Sequence, residues 1–146
     1  MSASTKLSLA VKALCYLASS YPDPRSSSQI AGVTGGNASK IRKLLAMLAQ
    51  GDIVKSTKGA AGGFLLAKDP RNIHMQEVYC SIEDRKAFHL DVHRNTSEGE
   101  AFTARFDDFF LGLFADIQIH IEDKMRKITM ATLMDRIGID NGYGAD

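Results

Sequence analysis

Apolar residues in this chain recur at the helical period in several stretches, and proline or glycine marks the breaks between them. Leu7, Val11, Leu14, Cys15 and Ala18 share one helical face and predict a first helix from about Ser4 to Ser20. Tyr21-Pro22-Asp23-Pro24 ends it, because two prolines cannot continue a helix. Ser26-x-x-Gln29 has the form of a capping box and opens a short second helix, Ser27 to Val33. Gly35-Gly36 turns the chain into a third helix. There Ile41, Leu44, Leu45 and Leu48 fall at i, i+3, i+4 and i+7 and face a core. Ser39 and Lys43 then point away, flanked by Lys40 and Arg42, and Gly51 is expected to close the helix as its C-cap.

The next pattern is that of a hairpin. Ile53-Val54-Lys55-Ser56-Thr57 and Phe64-Leu65-Leu66 read as two strands joined by Lys58-Gly59-Ala60-Ala61-Gly62-Gly63. Gly62 and Gly63 suit a tip that approaches a phosphate backbone, where a side chain would intrude. Asp69-Pro70-Arg71-Asn72 is a loop, and a helix follows from about Met75 to Ile82. Residues 83–96 show weak periodicity and form a variable connection. Ser97-x-x-Glu100 is expected to cap a long helix reaching about Lys127, with an apolar stripe of Phe102, Phe106, Phe109, Phe110, Leu113, Ile117, Ile121 and Met125. Thr129 is placed to cap a last helix carrying Leu133, Met134 and Ile137, and the tail from Gly138 is expected to be loose.

The fold expected is mainly α with a small β-hairpin: a winged helix-turn-helix domain plus a long dimerisation helix. The divisions are 1–82 for the winged domain, 83–96 for the connection, 97–138 for the dimerisation and C-terminal helices, and 139–146 for a flexible tail. A helix of about thirty residues is roughly 45 Å long, more than a three-helix domain can cover. Its aromatic stripe therefore calls for a second copy, giving a homodimer through helix 97–127.

Composition narrows the function. The 146 residues are 45% hydrophobic and 24% charged, ordinary for a globular protein. No run approaches the length of a membrane span or a signal segment, so a cytoplasmic location is expected. The net charge of +1 hides an asymmetry. Through Met75 there are ten Lys and Arg against three acids, a balance of +7; from Gln76 onward there are eight against fourteen, a balance of −6. The basic half suits a polyanion, and it is the half that carries the third helix and the hairpin. A helix bearing Ser39, Lys40, Arg42 and Lys43 can enter the major groove while the hairpin lies on phosphates. The expected partner is double-stranded DNA. Enzyme motifs are lacking: Gly59 to Gly63 is not followed by the Lys-Ser/Thr of a phosphate loop, and neither G-x-S-x-G nor H-E-x-x-H occurs.

Leu48-x-x-Gly51-x-Ile53-Val54-x-Ser56, followed by Lys58-Gly59-x-x-Gly62-Gly63-Phe64-x-Leu66, resembles the bacterial Rrf-two family of winged-helix transcriptional regulators (the IscR/NsrR/CymR/YwnA family). Ala10-Val11-x-Ala13-Leu14-x-Tyr16-Leu17-Ala18 and Gln29-Ile30-Ala31 add to it, and the likeness runs from Leu7 to about Ile137. The resemblance implies a homodimeric regulator, expected as a repressor, that reads a palindromic operator with helix 37–50 and wing 52–67. By position it implies groove contacts from Asn37, Ser39, Lys40 and Arg42, a wing contact from Lys58, and phosphate contacts from Lys6 and Gln29. Several family members hold an iron–sulfur cluster on three cysteines just before the long helix. Residues 83–100 contain no cysteine, so that site is absent and the chain is similar to the cluster-free, YwnA-like branch, with no cofactor expected.

Few residues remain as candidate sensors. Cys15 falls on the first buried stripe and reads as core, whereas Cys80 is a candidate redox thiol. His89 and His93, four apart beside Asp91, are weak candidates for a metal, with surface histidines the simpler reading. An unidentified effector is expected between the wing domain and the long helix, near Tyr79, Phe88 and Phe102. Two other functions fit the same residues: a winged helix that docks an acidic protein, and a small-molecule or metal-responsive protein without specific DNA binding.

Overall fold

The computed structural model describes residues 3–83 and 100–144. Expectations for Phe88, His89, Asp91, His93 and Ser97 lie outside the described residues. The order of elements is α1 (Ala3–Ser20), α2 (Ser27–Thr34), α3 (Ala38–Gln50), β1 (Val54–Thr57), β2 (Gly63–Leu66), a 3₁₀ turn (Pro70–Asn72), α4 (Met75–Ile82), α5 (Glu100–Arg126) and α6 (Met130–Ile137). No helix among the described residues is long and apolar enough to cross a membrane.

The helix starts follow local side-chain chemistry. Ser26 Oγ accepts from the Gln29 N–H at 3.1 Å and the Ser26 N–H donates to Gln29 Oε1 at 2.9 Å, so the capping box of α2 is complete. Gly35 follows at φ 74°, in the left-handed region that releases the chain from α2 toward α3. Thr129 caps α6 by accepting from the Thr132 N–H at 3.0 Å.

The end of α3 differs from expectation. Gly51 has an ordinary φ of −84°, and the left-handed residue is the next one, Asp52, at φ 56°. Glycine is needed at 51 for a different reason: a Cβ there would collide with the Ser81 side chain on α4. The hairpin is antiparallel, with Val54 opposite Leu66 and Thr57 opposite Gly63. Ile53 therefore precedes the strand and Gly63 belongs to it.

One core holds these elements together. Leu14 and Leu17 of α1, Ile30 of α2, and Ile41, Leu45 and Leu48 of α3 are fully buried with Ile53, Ile73 and Ile82. The buried face of α1 is wider than the expected stripe and takes in Ala10, Ala13 and Leu17, because α2, α3, α4, β2 and α6 all pack on that helix.

The core does not stop at residue 82. Met130 and Met134 of α6 are 1% exposed and lie in the same cluster. Paired backbone hydrogen bonds, Met75 N–H to Ile128 O and Met130 N–H to Ile73 O, both 2.8 Å, tie the start of α6 to the start of α4. The tail is also held. Gly142 N–H donates to Ala18 O at 3.0 Å, and the Tyr143 ring stacks on Tyr21 with centroids 3.8 Å apart. Burial there, with Tyr21 and Asp69 nearby, pushes the Tyr143 phenol up to about 12. The expectation of a loose tail thus fails for residues 138–144. Glycine composition suggested freedom, but the backbone caps the open end of α1.

By contrast α5 is largely uncovered. Gln118, 2% exposed, marks its inward face, while Phe102 is 79% exposed and Phe109 66%. Phe106, Phe109 and Leu113 share the outer face with Phe102 and are exposed too.

Removing a buried side chain from α6 tests whether this helix belongs to the core. Met134→Ala should cost about 2–5 kcal/mol, read as a fall in the urea midpoint of the far-ultraviolet transition. An unchanged midpoint would place α6 outside the cooperative unit.

Candidate nucleic-acid interface

The core stripe of α3 orients its other face. With Ile41, Leu44, Leu45 and Leu48 buried, Ser39, Lys40, Arg42 and Lys43 are all exposed. Among the described residues none of Lys6, Lys40, Arg42, Lys43 or Lys58 forms an ion pair, so their charges stand open to an anion. Lys6 lies half-buried in the second turn of α1. Lys55, exposed at the middle of β1, belongs to the same basic surface and was missed from sequence, although strand alternation from buried Val54 signals it.

Two expected contacts are already engaged within the chain. Asn37 is the N-cap of α3: its Oδ1 accepts from the Ser39 N–H at 2.8 Å and from the Lys40 N–H at 3.4 Å. A bidentate pairing with adenine needs that same oxygen as acceptor, so the cap competes with the base-reading role the resemblance implied. The position immediately before the first helical residue was the available clue. Gln29 Oε1 is likewise occupied by the capping box, which leaves its amide N–H groups for a phosphate.

The glycines of the wing answer to the hairpin itself. Gly59 has φ 107°, and the Gly62 N–H donates back to Gly59 O at 3.0 Å. A Cβ on Gly62 would sit 2.5 Å from Thr57 O, and one on Gly63 2.6 Å from Arg25 O. Phe64 N–H donates to Arg25 O at 2.8 Å and Arg25 N–H to Phe64 O at 3.1 Å. Close approach does require these glycines, as sequence suggested, but the approaching backbone is the chain's own.

A groove of about 580 Å³ runs between the start of α1 and the α2–α3 turn, lined in part by Thr5, Ser8, Gly36, Asn37 and Lys40. It brings the first helix beside the N-terminus of α3. Thr5 and Ser8 were not singled out from sequence; their i, i+3 spacing on the polar side of α1 is the signal.

The candidate sensors separate clearly. Cys15 is buried, and burial pushes its thiol up to about 11, so it is inert at neutral pH. Cys80 is exposed on α4 and accepts from Gln76 Nε2 at 3.1 Å. Tyr79 is 5% exposed within the core side of α4, whereas Phe102 stands outward on α5. The structure does not bring those two together as the walls of an enclosed site. Among the described residues no group of three His, Cys, Asp or Glu is gathered that could hold a metal.

A basic helix, a tight turn before it and a hairpin after it form a winged helix-turn-helix, and comparison with known proteins gives it a family. The Rrf2 family, described as an iron-dependent transcriptional regulator, matches residues 3–136. The chain belongs to the Rrf2 family. It is therefore a DNA-binding transcription regulator of winged-helix type. It is similar to the HTH-type transcriptional regulator YwnA of Bacillus subtilis (strain 168), 23% identical over 133 residues that cover 91% of this chain and 97% of YwnA. To the HTH-type regulator YwgB of the same organism it is 28% identical over 106 residues, which span 68% of this chain and only 62% of YwgB. The solved structure of T. potens IscR shares the fold with a TM-score of 0.69 at 24% identity, covering 95% of this chain and 92% of that one.

The iron in the family description does not carry over through thiolates. The whole chain has two cysteines, one of them sealed in the core, and an iron–sulfur cluster held by the chain needs more.

The cap geometry can be tested without DNA. Asn37→Ala should lower stability by about 1 kcal/mol, and Asn37→Asp should retain most of it, in urea titrations of the free protein. Full stability in the alanine variant would return Asn37 to base reading alone.

Proposed function

We propose that this Rrf2 protein is a homodimeric repressor that reads a palindromic operator, with α3 in the major groove and the β1–β2 wing on the flanking phosphates. The observation that carries the proposal is the outward face of α3, where Lys40, Arg42 and Lys43 are exposed and unpaired among the described residues beside Ser39. Arg42 and Lys40 are the base readers, since their donors match guanine O6 and N7. Lys43 and Lys58 contact phosphates, Lys58 from the wing tip, whose Gly62 presents no side chain. Lys6 and the free amide of Gln29 hold the backbone at the starts of α1 and α2. Nothing in this set is a nucleophile or an acid–base pair, so the protein acts by occupancy and not as an enzyme.

The exposed face of α5 supports the dimer. Phe102, Phe106, Phe109 and Leu113 form one apolar face, turned away from the side that carries buried Gln118. A large exposed aromatic patch on a soluble chain marks an interface, and a two-fold pairing of this helix covers it in both copies. Such symmetry gives two recognition helices related as the halves of a palindrome.

Charge roles divide by their dependence on sequence and salt. Lys58→Ala should weaken binding to all duplexes alike and lower the salt slope by about one. Arg42→Ala should cost about 1–3 kcal/mol at one base position and relax specificity there. Titrations of single-base operator variants at several salt concentrations distinguish the two. A uniform, sequence-independent loss from Arg42→Ala would show that α3 is not the reader.

A further inference from the structure

A second cavity, of about 280 Å³, opens between α1, the end of α2 and α6. Its walls are mostly aliphatic: Val11 of α1, Val33 of α2, Leu133 and Ile137 of α6, and Ile139 beyond it. Val33 and Ile137 are 61% and 58% exposed, so apolar surface from two distant parts of the chain converges on one opening. Two hydroxyls also line it, but both are spent on their own helices. Ser19 Oγ donates to Tyr16 O at 3.1 Å and Thr34 Oγ1 to Ile30 O at 2.8 Å. The remaining charged group is Lys12, exposed and in no ion pair among the described residues.

An aliphatic recess with one cation at its wall specifies a ligand with an apolar body and one anionic end. We propose that this cavity is a binding site for a small aliphatic monocarboxylate, its chain against Val33, Leu133 and Ile137 and its carboxylate on Lys12. Size limits the chain. At about 30 Å³ for each water-sized group, the space holds roughly nine such groups, which corresponds to about six to eight carbons. Binding is non-covalent, since the one thiol facing the cavity is the protonated Cys15.

The position of the site gives it a regulatory consequence. Lys12 and Thr34 also line the groove that holds Gly35, Gly36, Asn37 and Lys40. A carboxylate drawn to Lys12 therefore acts on a wall shared with the turn that sets α3. Such a ligand shifts DNA affinity by as much as it prefers one arrangement of that wall over another. This consequence rests on the DNA-reading proposal above; the binding itself does not.

Calorimetric titration of the full-length protein with octanoate tests the site. Saturable binding of one octanoate per chain is expected, with acetate failing to bind. Lys12→Ala, and separately octan-1-ol in place of octanoate, should each weaken binding about tenfold or more through loss of the charge-assisted contact. Val33→Trp, a change at an exposed position, should block the cavity and abolish binding without loss of fold. No saturable binding, or binding indifferent to both Lys12→Ala and Val33→Trp, overturns the proposal. So does dissociation of a wild-type oligomer by Val33→Asp, since the face would then lie between copies. Octanoate that binds as described but leaves affinity for a selected duplex unchanged overturns its role as effector. Binding by a protein that ignores every duplex supports the site and tells against the DNA reading, so the two failures are distinguishable.

Discussion

The reading surface depends on a backbone contact that no side chain could enter. Gly63 lies against the main chain of Arg25, and two hydrogen bonds on either side, between Arg25 and Phe64, make the segment before α2 a third strand in all but length. The wing is thus fixed at its root to the chain that begins α2. The capping box at Ser26 follows directly, and Gly35 at φ 74° passes the constraint on to α3. An isolated two-stranded hairpin is marginal in water; anchored in this way, it holds Lys58 at a set distance from Arg42. Two positively charged elements separated by a rigid spacing can match a groove and its neighbouring phosphates without an ordering cost on binding.

The rest of the molecule holds this unit from behind. α6 returns to the N-terminal core through Met130 and Met134, and the tail caps α1 through Gly142. Only α5 departs from that unit, carrying acids and exposed aromatics away from the basic face. The charge asymmetry of the sequence is therefore an asymmetry in space, basic where α3 and the wing lie and acidic along the projecting helix. The chain's place among the Rrf2 regulators is consistent with this division between a DNA-facing end and an interaction helix.

Legibility in the sequence followed the range of the interaction. The i, i+3, i+4, i+7 spacing of Ile41 to Leu48 set the buried side of α3 and hence its basic face, because a helical period needs no knowledge of the partner. The Ser26–Gln29 box and the Thr129 cap were local enough to read for the same reason. What required distant partners was misread or missed. Gly51 looked like a left-handed cap but is small because Ser81 packs on it, and Gly62 and Gly63 answer to Thr57 and Arg25 and not to a phosphate. The glycines of the tail suggested looseness, yet Tyr143 finds Tyr21 more than a hundred residues away. Asn37 was open to both readings, since the amide that suits adenine also caps a helix. The cavity at Lys12 was invisible for the same physical reason: its walls come from α1, α2 and α6, which only the folded core brings together.

The account stands most directly on whether the dimer reads DNA with two copies of α3. Selection of bound duplexes from a random pool by the purified full-length protein, sequenced at two salt concentrations, measures this. The expected result is enrichment of a palindrome whose half-sites are separated by about one helical turn or a multiple of it. Retention of duplexes that is abolished by salt and enriches no sequence would contradict the account.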